Sequence, residues 1–186
     1  MLTGVWLVRH GETDAPAGVA IGSSDPPLSS IGRAQAQALA LELAVRPLTA
    51  VYASDKIRAI ATAEPIAQAH GMAIHVDRRV RELDFGAWEG RSLAELWTED
   101  AEAARNWERD LRATPPSFAE NVAALELRVA AFWEDACERS TGEVAVVAHG
   151  GSLAALRALI TGASLEAVFA SQLDLGTALW VEGRDR

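Results

Sequence analysis

Two histidines in this chain share one local setting. His10 closes the stretch GVWLVRHG, and His149 closes EVAVVAHGG, so each ends an apolar run and precedes a glycine. A third polar cluster, Ser54-Asp55-Lys56-Ile57-Arg58, follows the run AVYA. Such clusters are too polar for a core and read as turns after strands. A neutral imidazole held in a fixed orientation is a competent nucleophile toward phosphorus once the phosphoryl oxygens are neutralised. Arg9 and Arg58 supply that neutralisation as planar forks that stay charged. A departing alkoxide then needs a proton. The stretch RELDFGAWEG offers Glu82 as the first candidate and Asp84 as the second. A carboxyl group beside an anion has its pKa raised, which suits an acid. His149, expected as an imidazolium, adds to the positive charge.

These groups meet only if the elements before them share an edge. Residues 4–8 and 143–148 are short, β-branched apolar runs that read as buried strands, and 50–53 is a weaker one. Helical patterns follow each, at about 29–45, 55–70 and 151–161, with Pro65 expected to bend or break the second. Residues 73–76 and 171–182 look like further strands, the latter a hairpin turning at Gly176. Strand–helix alternation predicts an α/β three-layer sandwich, with a mainly parallel central sheet and helices on both faces. About 91–140 reads as a helical insertion near the site, two helices interrupted at Thr114-Pro115-Pro116-Ser117. Without repeats or linkers, residues 1–186 read as a single domain. Turns after parallel strands share the carboxyl edge, where ligands bind in open α/β sheets. Two histidines, two arginines and Lys56 are thereby delivered to one rim, beside helix N-termini that favour anions. A phosphate is the obvious occupant.

Composition narrows the partners. A net charge of −9 argues against nucleic acid and anionic membranes. No apolar run approaches the length of a membrane span. The start, MLTGVWLVRH, lacks the marks of a signal peptide. Cys137 is the sole cysteine, expected as a buried structural thiol, so no internal disulfide forms; a cytoplasmic location fits. The four histidines include no HxH or HxxxH pair, so no metal or other cofactor is expected, His70 and His75 included. Of the tryptophans, Trp88 is the one placed near the pocket, next to the Glu82 block.

The blocks LVRHGET, SDKIRAIATA, ELDFGAWEG and VAHGG, in this order, resemble the histidine phosphatase (phosphoglycerate mutase-like) superfamily. The resemblance implies that His10 is phosphorylated, that Arg9, Arg58 and His149 grip the phosphate, that Glu82 donates the proton and that Thr13 offers a hydroxyl near the phosphate. Gly150 belongs to the last block. Two departures bear on the substrate. Pro16 stands near the place where many relatives carry an asparagine, and Asp55-Lys56-Ile57 replaces the usual Ser-Pro-Leu before the arginine. Lys56 is a candidate to supply the missing contact.

The expected activity is a metal-independent phosphomonoesterase acting on a small phosphate ester. A phosphoglycerate mutase would need a second cationic clamp, but residues 86–141 hold twelve acids and six arginines, a net of −6. A non-catalytic phosphate-binding protein would not need the intact nucleophile and acid. The stretches GVAIGSSDPPLSSIGRAQA and RELDFGAWEG look like the α-ribazole phosphatase branch, with broad sugar-phosphate phosphatases as the alternative. Oligomeric state is not legible.

Overall fold

A computed structural model describes residues 1–112 and 119–183. The expected interruption at 114–117 lies outside the described residues.

Five strands, β1 (Leu2–Arg9), β2 (Leu48–Ala53), β3 (Ile74–Val76), β4 (Gly142–Ala148) and β5 (Ala178–Glu182), form one sheet in the order β3-β2-β4-β1-β5. All neighbours are parallel except β5, which runs antiparallel to β1. The continuous apolar runs follow from burial on both faces. Val5, Leu7, Val144 and Val146 point into one core, against α5 (Val122–Arg139) and α6 (Gly150–Thr161). Their neighbours Trp6, Val8, Ala145 and Val147 point into the other, against α1 (Ser30–Leu43) and α2 (Ile57–Ala69). This is strand alternation expressed in two layers.

The sheet order contains the functional geometry. The chain leaves β1, builds β2 and β3 further out, then returns to insert β4 between β1 and β2. Arg9 pairs with Ala148, and Ala53 pairs with Val147. The carboxyl ends of three strands are therefore level to within a residue, and the turns leaving them converge.

The boundaries bring corrections. The second helix begins at Ile57 and runs to Ala69 with Pro65 inside it, so the proline does not break it. Burial of Ala59, Thr62, Ala63 and Ile66 holds the helix across that position. The insertion holds three helices among the described residues: α3 (Leu93–Glu99), α4 (Ala101–Arg109) and α5. Among the described residues no hairpin forms at the end of the chain. Gly176, at φ +68°, donates its N–H to the carbonyl of His10 at 3.0 Å. Leu173 gives its carbonyl to Arg9 at 2.6 Å, so 171–177 serves the site edge, and only Ala178–Glu182 pairs as a strand. A short helix α7 (Leu165–Phe169) precedes it. Cys137 is half-buried against the α5–α6 core rather than fully enclosed. No helix among the described residues is long and apolar enough to cross a membrane.

Candidate active site

His10 leaves β1 with its backbone fixed on both sides: its N–H donates to Ala148 O at 3.0 Å, and its carbonyl accepts from Gly176. The following Gly11 is required for close approach, because a Cβ there would lie 2.5 Å from the Gly32 carbonyl of α1. Gly11 N donates to the buried Thr62 of α2, locking the turn to the next layer. The His10 ring follows from this. Its Nδ1 lies 2.8 Å from the Gly11 carbonyl, and a carbonyl only accepts. Nδ1 therefore carries the proton, and Nε2 keeps the lone pair. Burial pushes the His10 pKa down to about 3; the Gly11 bond opposes this, while Arg58 and Arg9 add to it. The imidazole is neutral at any ordinary pH.

His149 stacks edge-on against His10, with ring centroids 5.1 Å apart. Its Nδ1 accepts from Arg58 Nε at 3.3 Å, so its proton sits on Nε2. Burial first, then Arg58, His10 and Lys56, hold its pKa well below the usual value. His149 is thus a neutral N–H donor before anything binds, which corrects the expectation of an imidazolium. Its Nε2 and the Nε of Arg9 are buried donors with no hydrogen-bond partner among the described residues. An unmet buried donor costs about 1–3 kcal/mol, so two of them beside His10 mark a place built for an acceptor.

Arg9 also donates Nη1 to Leu173 O. Arg58 is fully buried, with Nη1 on Ser24 O at 2.7 Å and Nη2 on Gly22 O at 3.2 Å. Burial lowers the pKa of both guanidiniums, opposed in each by Glu82. Neither comes near losing its proton in water.

Across the rim stands Glu82. Its Oε2 accepts from Gly151 N at 2.9 Å and its Oε1 from Leu83 N at 2.8 Å. Glu82, His10 and Arg9 line one cavity of about 660 Å³. Asp84 does not line it. Its carboxylate accepts from Gly86 N at 3.0 Å, capping the turn Gly86–Trp88, and faces a neighbouring cavity. Of the two acids, Glu82 lines the His10 cavity and Asp84 does not.

The remaining expected residues divide. Thr13 and Trp88 line the His10 cavity, and Trp88 holds Asp100 through its indole N–H at 2.8 Å. Gly150 approaches the rim closely: a Cβ there would meet Gln172 at 2.7 Å and the Arg9 guanidinium carbon at 3.4 Å. Lys56 departs from expectation. Its ammonium bonds the Ser23 carbonyl and lines the neighbouring cavity rather than the one that His10 lines. His70 bonds the Leu43 carbonyl, and His75 packs on Tyr52, both away from the rim. Sequence reasoning missed Phe85, Trp107, Phe169 and Gln172 on the cavity wall, since an aromatic on a helical or loop pattern carries no mark of where it faces.

The His10-bearing turn, the buried unmet donors and the parallel sheet are together those of an enzyme of phosphate-ester hydrolysis. The chain belongs to the histidine phosphatase superfamily (branch 1), whose family model matches residues 5–186. It is 32% identical over 171 residues to a protein of Hydrogenobacter thermophilus named as a phosphoserine phosphatase, covering 91% of this chain and 84% of that one. It is also 32% identical over 174 residues to the adenosylcobalamin/alpha-ribazole phosphatase of Escherichia coli, covering 92% and 86%. Among solved structures it is similar to the mycobacterial glucosyl-3-phosphoglycerate phosphatase, with a TM-score of 0.86 at 26% identity, covering 96% and 89%.

Proposed function

We propose that the protein hydrolyses a small phosphomonoester without a metal, through a phosphohistidine at His10. The observation that carries this reading is the pair of unpartnered buried donors, Arg9 Nε and His149 Nε2, beside the Nε2 lone pair of His10. In the first step His10 Nε2 attacks phosphorus, the bond to the ester oxygen breaks, and Glu82 in its acid form protonates that oxygen. In the second, the Glu82 carboxylate takes a proton from water, the water oxygen attacks phosphorus, and the P–N bond breaks to release phosphate and restore His10. Arg9, Arg58 and the His149 N–H hold the charge that spreads over the transferring group. Thr13 and Trp88 contribute to the wall around the ester.

For the leaving group, the wall supports an apolar and aromatic partner. Phe85, Trp88, Trp107, Phe169 and Leu175 face the cavity, and Arg9 is the only cation among its described lining residues. A second carboxylate or phosphate on the substrate would find no partner there, which disfavours phosphoglycerates and the mutase reaction. α-Ribazole 5'-phosphate, with its aromatic base, fits this wall better than a sugar phosphate does.

Rapid quench with ³²P-labelled aryl phosphate tests the reaction: the wild type should yield an acid-labile, base-stable phosphoprotein, and His10→Ala should yield none. Label retained in His10→Ala would overturn the assignment. A panel of α-ribazole phosphate, phosphoserine, phosphoglycerate and sugar phosphates tests the leaving group, and preference for a doubly anionic substrate would reject the aromatic reading.

A further inference from the structure

Glu89 lies outside the cavity that His10 lines, yet its carboxylate accepts four hydrogen-bond donors. It follows the turn Gly86–Trp88 and accepts from three consecutive backbone N–H groups: Gly22 at 2.9 Å, Ser23 at 3.2 Å and Ser24 at 3.0 Å. The Ser24 hydroxyl adds a fourth bond at 2.5 Å. Successive amides converging on one anion form a nest, a shape that loops otherwise offer to phosphate or sulfate.

The opposite side of the same loop meets cations. The peptide joining residues 22 and 23 donates its N–H to Glu89 and gives its carbonyl to Arg58 Nη2 at 3.2 Å. The next peptide donates to Glu89 and gives its carbonyl to the Lys56 ammonium. The carbonyl of Ser24 takes Arg58 Nη1 at 2.7 Å. Two peptide dipoles thus lie in line between a carboxylate and a buried cation, each polarising the other. The loop packs closely at its start, where a Cβ on Gly22 would sit 2.0 Å from the Leu83 carbonyl and Ala20 is tied to Gly90 and Arg91 at 2.8 and 3.0 Å, which leaves Glu89 to hold Ser23 and Ser24. Among the described residues, the acid in ion-pair contact with Arg58 is Asp25 at 3.6 Å, whose side chain is 41% exposed and held by Ile57 N.

We propose that Glu89 is a positioning residue: through the amides of Gly22–Ser24 it orients the Arg58 guanidinium, and through Arg58 Nε it fixes the tautomer of His149. The consequence for catalysis rests on the reading of Arg58 and His149 as phosphate ligands. The orientation itself does not. Without the carboxylate, three N–H groups lose their shared acceptor, the loop turns, and two of the carbonyls that aim Arg58 leave with it.

Glu89→Gln keeps the size and one acceptor oxygen but turns an NH₂ toward donors. Two readouts test it. Vanadate affinity should fall about 10- to 100-fold, the worth of one or two charge-assisted hydrogen bonds. In ¹⁵N spectra of the free protein, His149 should lose the fixed pattern of protonated Nε2 and bare Nδ1. A residue that merely stabilises the fold would lower Tm and move neither. A folded Glu89→Gln protein with the wild-type His149 pattern and vanadate affinity within twofold would overturn the proposal. Should that variant not fold, Ser24→Ala removes the hydroxyl bond at an exposed position and should shift both readouts the same way by less; wild-type values there would also overturn it. If the wild type forms no phosphohistidine but Glu89→Gln still disturbs His149, the catalytic reading fails and the positioning role stands.

Discussion

Gly151→Ala tests Glu82 as the proposed acid without changing its side chain. A Cβ on Gly151 would sit 2.3 Å from Glu82 Oε1, 3.3 Å from its Cδ and 3.5 Å from the Phe169 ring. To open the first contact to 3.4 Å, where ordinary packing begins, the carboxylate must retreat by the difference, 1.1 Å. That shift breaks the 2.9 Å bond from Gly151 N as well, so Glu82 loses its place and one of its two backbone donors. The rest of the protein has little reason to respond. Gly151 lies in the first turn of α6, where alanine favours the helix by up to about 1 kcal/mol, and the clash falls on the end of a side chain. A misplacement of about 1 Å in a catalytic group costs on the order of a hundredfold. That loss should appear in kcat/KM for alkyl phosphates, whose alkoxide cannot leave unprotonated. For p-nitrophenyl phosphate the phenolate leaves readily, and kcat/KM, which reports the phosphorylation step, should change by less than about fivefold. Glu82→Gln should reproduce the selectivity more strongly, and Asp84→Asn should show none. Equal losses for both ester classes in Gly151→Ala would refute the placement of Glu82 on the leaving oxygen. Selectivity in Asp84→Asn alone would move the role to Asp84.

The remaining predictions concern pH and metal. The folded His10 titrates only near pH 3, whereas the unfolded chain takes up that proton from about pH 6.5 downward. Stability is therefore whole above pH 6.5 and falls as pH drops toward 3, by roughly 1.4 kcal/mol per pH unit from this residue, with His149 adding in the same direction. Urea titrations between pH 7 and 4 should show the slope reduced in His10→Asn; an unchanged slope would show that His10 is not buried neutral. If Arg9, Arg58 and the His149 N–H carry the transferring group, as proposed, EDTA should leave turnover unchanged and vanadate should inhibit. Activity lost to the chelator and restored by a divalent ion would reject this.

How much of this was already in the sequence depends on the range of the physics involved. The runs at 4–8 and 143–148 announced strands buried on both faces because their apolar residues are contiguous, a local property. The glycines after His10 and His149 announced tight turns for the same reason. From those two facts and the strand–helix alternation, the parallel sheet, its carboxyl rim and the gathering of Arg9, His10, Arg58 and His149 all follow. What no local pattern carries is which way a side chain faces once elements pack. Glu82 and Asp84 are two residues apart in one loop, and only the approach of Gly151 and the capping of Gly86 separate the acid on the cavity from the acid behind it. Lys56 was legible as a cation at the rim, yet the Ser23 carbonyl takes its ammonium. Segment 171–177 carries strand-like residues, but Arg9 and His10 claim its backbone partners before a second strand can. Burial holds the His149 pKa down, against the expected imidazolium, and burial is a property of everything around it. Glu89 counted only as one more negative charge in an acidic insertion until the fold laid residues 22–24 across it, 65 to 67 positions away in sequence. Local chemistry chose the cast; long-range packing decided which face each residue turns to the substrate.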